Sequence, residues 1–254
     1  MTSSPLSPSP HLNPPLTQHR LAPSTLLALS QFLEEQDQQT ARFESLRRAA
    51  SDAHASRSFS MADFSEDWQQ SQFWYSSTTS ATLAAALLHG LAENAVVALV
   101  SAPSVYVTIR EWRRVGDARV PKGLKLRLLE FDKRFDVFAD EFVLYDFKQP
   151  VGGGGVGELK GAVDAVLVDP PFLSPECQTK TALTVRYLLK PDAANTRVMV
   201  CTGERMLELI LKLYRANNVA ETTLEVEHTK GLSNEFRCYA NFESAAWRLL
   251  EGER

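Results

Sequence analysis

Cysteine is scarce in this chain, and the little present does not pair. Cys177, Cys201 and Cys238 are three among 254 residues, widely spaced and without any C-x-x-C. Neither a disulfide framework nor a zinc site is expected from them, no metal is expected at all, and a reducing compartment is the simplest setting. Long apolar runs are missing too: none approaches the ~20 residues that a membrane-spanning helix needs. An excess of cations is also absent, since the formal net charge is -4, which argues against a protein that wraps nucleic acid by bulk charge. There is no P-loop, no H-E-x-x-H and no G-x-S-x-G, which removes the commonest NTPase, zinc-protease and hydrolase chemistries.

What is present is enough apolar material, 44% of the chain, to bury one large core with an appendage. Residues 1–23 hold six of the thirteen prolines and no acidic residue, so they are expected to form a disordered tail. Their prolines interrupt any signal-like apolar stretch, and Arg20 alone is too little for a transit peptide, so the expected location is cytoplasmic. From Ser24, a plausible N-cap, residues 24–60 read as a helical segment with Leu26, Leu29 and Leu33 on one stripe. A domain is expected over 61–254.

Within that domain the pattern alternates. Strand-like runs fall at 96–103, 124–132, 142–147, 163–170 and 197–203, with helical patterns at 80–92, 104–115 and 204–217. This alternation implies an α/β fold: a parallel sheet with helices on both faces and ligands at the carboxyl ends of the strands. Two further runs, TTLEVEHT and EFRCYANF, read as a closing antiparallel hairpin. The stretch GGGGVG at 152–157 formally satisfies G-x-G-x-x-G. It opens no helix after a strand, so 151–161 is expected to be a flexible surface insertion rather than a phosphate cradle.

The residues closing the strands are acids and aromatics. Ser101 to Ser104 follow the first strand, Glu130, Phe131 and Asp132 end the second, and Tyr145 and Asp146 close the third. An acid after the second strand can accept both hydroxyls of a ribose; one after the third can accept from an exocyclic amine. The fourth strand runs DAVLVDPPFL, ending in Asp169, Pro170, Pro171 and Phe172. Proline cannot donate to the ladder, so the two prolines stop the pairing in a stiff bend that presents Asp169 and Phe172. Acids in such places also cap helices, and Phe172 could equally plug the loop.

Asp-Pro-Pro-Phe at 169–172 resembles the (D/N)-P-P-(Y/F) motif of methyltransferases that modify amino nitrogens. Together EDWQQSQFWYS (66–76), VSAPSVY (100–106), LLEFDKRF (128–135) and VDPPFLSPECQTK (168–180) resemble the protein-lysine methyltransferases acting on translation elongation factor 1-alpha, the N6-adenine methyltransferase-like proteins. The resemblance spans about residues 60–243 and implies a Rossmann-like seven-stranded methyltransferase sheet. It implies S-adenosylmethionine as cofactor and elongation factor 1-alpha as partner. By this resemblance Ser101 and Pro103 approach the methionine end of the cofactor, and Glu130, or alternatively Asp132, takes the ribose. Asp146 accepts from the adenine amine, and Phe73, Trp74 and Tyr75 wall the pocket. Trp68 and Phe73 could instead join helix to core.

The expected chemistry is in-line methyl transfer to a lysine amine, with Asp169 and the Pro170 carbonyl as acceptors and Phe172 against the lysine stem. The same four residues would serve adenine N6, with Phe172 stacking on a flipped base. Against that reading, no dense Lys/Arg stretch offers a phosphate footprint. A third alternative is a non-catalytic module that binds a nucleoside cofactor.

Overall fold

A computed structural model describes residues 58–64, 66, 72–153, 155–191, 196–231 and 235–250. It also describes Leu27, Ser30, Gln31, Glu34, Gln38 and Ala41, which are helical and exposed. The expected tail 1–23, Ser24, the stripe Leu26, Leu29 and Leu33, and Trp68 lie outside the described residues. The chain divides into a unit Met1–Arg42 and a unit Phe43–Arg254. The larger unit therefore begins ahead of residue 61, and the physical reason is visible at Phe59. This side chain is buried, with its ring centroid 5.2 Å from that of Phe138.

Seven strands form one sheet: β1 (Val96–Val100), β2 (Lys125–Glu130), β3 (Phe142–Leu144), β4 (Ala165–Val168), β5 (Arg197–Gly203), β6 (Ala220–Glu225) and β7 (Phe236–Ala240). Their order is β3-β2-β1-β4-β5-β7-β6. The first five pair in parallel, while β7 runs antiparallel between β5 and β6. Among the described residues of this unit, helix α1 (Ser77–Leu88) precedes β1, and α2 (Pro103–Arg114), α3 (Pro175–Leu188) and α4 (Leu207–Leu213) connect strands. This is the doubly wound, Rossmann-like arrangement expected from the alternating pattern, closed by the expected hairpin. Among the described residues no helix is long and apolar enough to cross a membrane.

Strand residues alternate faces, and the core divides accordingly. Val97, Leu99, Leu126, Leu128 and Leu167 pack with Leu83 and Leu87 of α1 and Val105 and Ile109 of α2. Ala98, Val100, Val166, Val168 and Val198 pack with Val185 and Leu188 of α3 and Ile210 of α4. Both faces of β1 and β4 are thus covered, which is why those strands are apolar at every position rather than alternating.

Several local expectations need correction. Helix α3 was not anticipated, yet its signals are ordinary. Ser174 Oγ accepts from the Cys177 backbone N–H at 3.3 Å, Pro175 sits in the first turn, and Lys180 pairs with Glu176 at 2.6 Å. The missed 3₁₀ segment Lys133–Glu141 is broken at Ala139 and held by tertiary contacts: Phe135, Val137 and Phe138 are buried, and Glu141 accepts from Tyr106 and Arg113 of α2. Strand β3 ends at Leu144, three residues early, because Asp146 Oδ1 accepts from the Lys148 N–H and turns the chain. Within the glycine-rich stretch, Val156 and Leu159 are buried in the core beside α3.

Leu99 is fully buried at the centre of β1, whereas Leu183 on α3 is 43% exposed. Leu99→Ala is expected to cost ~2–5 kcal/mol of unfolding free energy, and Leu183→Ala no more than ~0.5 kcal/mol. Urea denaturation midpoints check both.

Candidate functional site

From β1 the chain winds outward to β2 and β3, then returns to place β4 on the other side of β1. At such a reversal the connections leave in opposite directions and open a crevice above the carboxyl ends of the strands. A cavity of about 830 Å³ lies there, within the range of small-molecule sites. Its walls combine the turns after β1 to β4, the segment 72–75 preceding α1, and His228, Gly231 and Phe236 from the closing hairpin.

The turn after β1 is built at some energetic cost. Ser101 has φ 53, a left-handed conformation that costs a non-glycine residue roughly 1–3 kcal/mol and is concentrated at functional sites. Its N–H continues the sheet by donating to Leu129 O at 2.8 Å. Ala102 then serves as N-cap of α2 and makes no side-chain cap bond, and Pro103 follows in the first turn. The positive end of α2 therefore meets the cavity without a side-chain cap, an arrangement suited to an anionic group.

Glu130, the last residue of β2, is buried and borders the cavity. Its Oε1 accepts from the N–H groups of Phe131 at 2.8 Å and Asp132 at 3.1 Å. Burial pushes its pKa up to about 7, against the pull of those donors. Asp132, the alternative candidate, does not border the cavity and is fully engaged elsewhere. Its Oδ1 accepts from Arg134 N–H, and its Oδ2 from Arg134 Nε at 2.7 Å and Gln72 Nε2 at 2.9 Å. Asp146 does border the cavity.

The three aromatics ahead of α1 have separate surroundings. Phe73 is half-buried on the cavity wall. Trp74 is a core anchor that reaches the cavity only in part: Nε1 donates to Phe64 O at 2.9 Å and the ring stands edge-on to Phe135. Tyr75 also borders the cavity, but its hydroxyl is engaged, donating to Asp169 Oδ2 at 2.5 Å.

Asp169 extends the β1–β4 ladder by one bond, N–H to Val100 O at 2.9 Å, and the prolines end it. Pro170 is buried and borders the cavity. Phe172 is 40% exposed and edge-on to Phe147 at 5.7 Å, so it is an open wall and not a plug. Burial raises the Asp169 pKa to about 7; Tyr75's hydrogen bond opposes this and the neighbouring charge of Glu130 adds to it. Gln178 of α3 fastens the corner, with Nε2 donating to Phe172 O at 3.1 Å and to Thr202 Oγ1 at 3.0 Å.

Every expected site residue except Asp132 therefore borders one cavity. Sequence reasoning missed Gln72, His228 and Gln178. Only Gln178 carried a local signal, as part of the S-P-E start of a helix; Gln72 and His228 come from segments with no pattern of their own.

Residues 66–244 match the family model described as "Probable N6-adenine methyltransferase". The chain belongs to this family. It is 43% identical over 241 residues to the protein-lysine N-methyltransferase EFM5 of Saccharomyces cerevisiae, covering 90% of this chain and 94% of that one. It is 36% identical over 233 residues to EEF1A lysine methyltransferase 1 of Homo sapiens, covering 91% and 93%. The Gallus gallus protein of the same name is 36% identical over 227 residues, covering 89% and 94%. The family's description names adenine and these relatives' names name lysine; both acceptors are amino nitrogens.

A carboxyl whose pKa is raised by folding binds its proton more tightly when folded. Its contribution to stability therefore falls as pH climbs from the ordinary carboxylate range to about 7. Asp169→Asn removes that loss, so its melting-temperature advantage over the native chain is expected to widen between pH 4 and pH 8. Calorimetric scans of the ligand-free protein at both pH values measure it.

Proposed function

We propose that the chain is an S-adenosylmethionine-dependent protein-lysine N-methyltransferase that acts on translation elongation factor 1-alpha. The observation that carries the reading is the convergence of Asp169, Glu130 and the uncapped end of α2 on one cavity. The names of the relatives at 36–43% identity supply the acceptor.

The donor set suits the cofactor group by group. Glu130 keeps Oε2 for ribose hydroxyls, because Oε1 holds the turn; Asp132 has no such freedom. Asp146 would accept from an exocyclic amine, the α2 N-terminus with Ser101 and Pro103 would receive a carboxylate, and Phe73 with part of Trp74 would offer a flat wall. When bound, the cofactor supplies a methyl carbon on a positively charged sulfur, open to in-line displacement.

The remaining residues handle the amine. Asp169 Oδ1 and the Pro170 carbonyl accept from it, and aiming a lone pair in this way is where near-attack positioning acts. Phe172 packs against the lysine stem or faces its ammonium, worth ~0.5–2 kcal/mol. Lysine, at ~10.4, arrives protonated. Entry into the cavity desolvates the ammonium and lowers that value, toward the raised Asp169 carboxyl, which takes the proton at Oδ1. The three cysteines are free and buried, consistent with a cytoplasmic enzyme.

The second reading, adenine N6, draws on the family description and on exposed Phe131 and Phe172, which could stack on a base. Among the described residues the cavity brings only Lys148 and Arg205 as lysine or arginine, too few to track a phosphate backbone.

Asp169→Ala is expected to lower transfer of labelled methyl to purified elongation factor 1-alpha by at least ~100-fold, with unchanged circular dichroism; near-native turnover would refute the role. DNA and RNA run in parallel decide the acceptor class. Replacing Glu130 and Asp146 together with alanine is expected to weaken S-adenosylmethionine binding by ~10-fold or more, read by titration calorimetry.

A further inference from the structure

Tyr75 was expected only as a cofactor wall, yet its hydroxyl is spent on the acid of the corner. The O–H to Asp169 Oδ2 contact, at 2.5 Å, spans 94 residues of sequence, and it joins elements that no local pattern connects. Three bonds hold the backbone on either side of Tyr75 against the hairpin: Ser76 N–H to Glu227 O at 2.9 Å, Thr229 N–H to Trp74 O at 2.8 Å, and Thr229 Oγ1 to Tyr75 O at 3.1 Å. Tyr75 and His228 also face each other as an isolated antiparallel bridge, ring centroids 5.1 Å apart. The ring is therefore fixed from both the strap and the hairpin.

We propose that Tyr75 is a positioning residue for Asp169: by occupying Oδ2 it fixes the carboxyl rotation and leaves Oδ1 as the oxygen presented to the substrate amine. This rests on the assignment of Asp169 as the amine's acceptor. Without the phenol, the carboxyl could rotate about its Cβ–Cγ bond and offer either oxygen, so fewer encounters would align the lone pair.

The neighbours of Asp169 make the phenol the principal group favouring its charged form. Glu130 at the end of β2 opposes ionisation of Asp169, and burial does so more strongly. Cys177 of α3 and Cys201 of β5 have thiols pushed upward and stay neutral. His228, beside Tyr75, is held down to about 4 by burial and is neutral near pH 7. Tyr75 itself, buried and beside a carboxylate, is held well above its ordinary value and remains a donor.

The test compares Tyr75→Phe, Thr229→Val and Asp169→Ala, each with elongation factor 1-alpha and S-adenosylmethionine. Tyr75→Phe keeps the ring and the bridge while deleting one hydroxyl. It is expected to lower kcat by ~10-fold, to leave the cofactor Kd unchanged, and to move the acidic limb of the pH–rate profile to higher pH. Thr229→Val, which loosens the strap without touching the phenol, is expected to give the same changes to a smaller degree. Native kcat with an unmoved acidic limb in Tyr75→Phe would overturn the proposal, as would weakened cofactor binding as its sole defect. If Tyr75→Phe fails to fold, an unmoved limb and native kcat in Thr229→Val overturn it instead. An active Asp169→Ala would sink the underlying assignment of Asp169, whereas an inactive Asp169→Ala beside an unaffected Tyr75→Phe would sink only the role given to Tyr75.

Discussion

The parallel pairing of β1 with β4 governs where the chemistry can occur. In that register Val100 stands opposite Val168, so the next residues, Ser101 and Asp169, leave the sheet together. Each is then stopped at once, Ser101 by a left-handed turn into α2 and Asp169 by two prolines. The connections from this pair lead to opposite sides, which opens the space above them. A shift of one residue in the register would turn Asp169 toward packed side chains and close the corner.

The cost of that arrangement appears as electrostatics. Two carboxyl groups, Glu130 and Asp169, border one cavity, and burial pushes the pKa of each up to about 7. Each is partly compensated by donors aimed at one oxygen only: backbone N–H groups for Glu130, the Tyr75 phenol for Asp169. On the proposed reading the other oxygen is left for a ligand. A site that binds a cationic cofactor and a cationic amine gains from such groups, because a positive charge entering the cavity restores the ionised state that folding disfavours.

Much of this was legible from residues in a row. The uniformly apolar β1 and β4 announced strands buried on both faces, the alternation of blocks announced a parallel sheet, and the D-P-P-F corner announced a stop with an acid on show. Glu130, Asp146 and Ser101 could be placed because strand ends are local features. The failures share a cause. Asp132 and Glu130 are two residues apart and chemically alike, and only the reach of Gln72 and Arg134 to Asp132 separates them. Trp74 and Tyr75 are adjacent in a single aromatic run, yet one bonds a backbone carbonyl in the core and the other bonds the corner acid. The glycine-rich stretch reads as loose because its two anchors, Val156 and Leu159, show their worth only against α3.

By itself the sequence determined the sheet's content, the sites where strands stop and the residue types shown there, since these follow from periodicity, proline and short-range sterics. Tertiary structure alone decided which carboxylate faces the cavity, which aromatic is wall and which is anchor, and that Tyr75 and Asp169, 94 positions apart, share a hydrogen bond. Those outcomes depend on direction and distance between segments that meet only after the chain has wound around the β1–β4 reversal, and burial, which sets the charge of both acids, exists only once they have met.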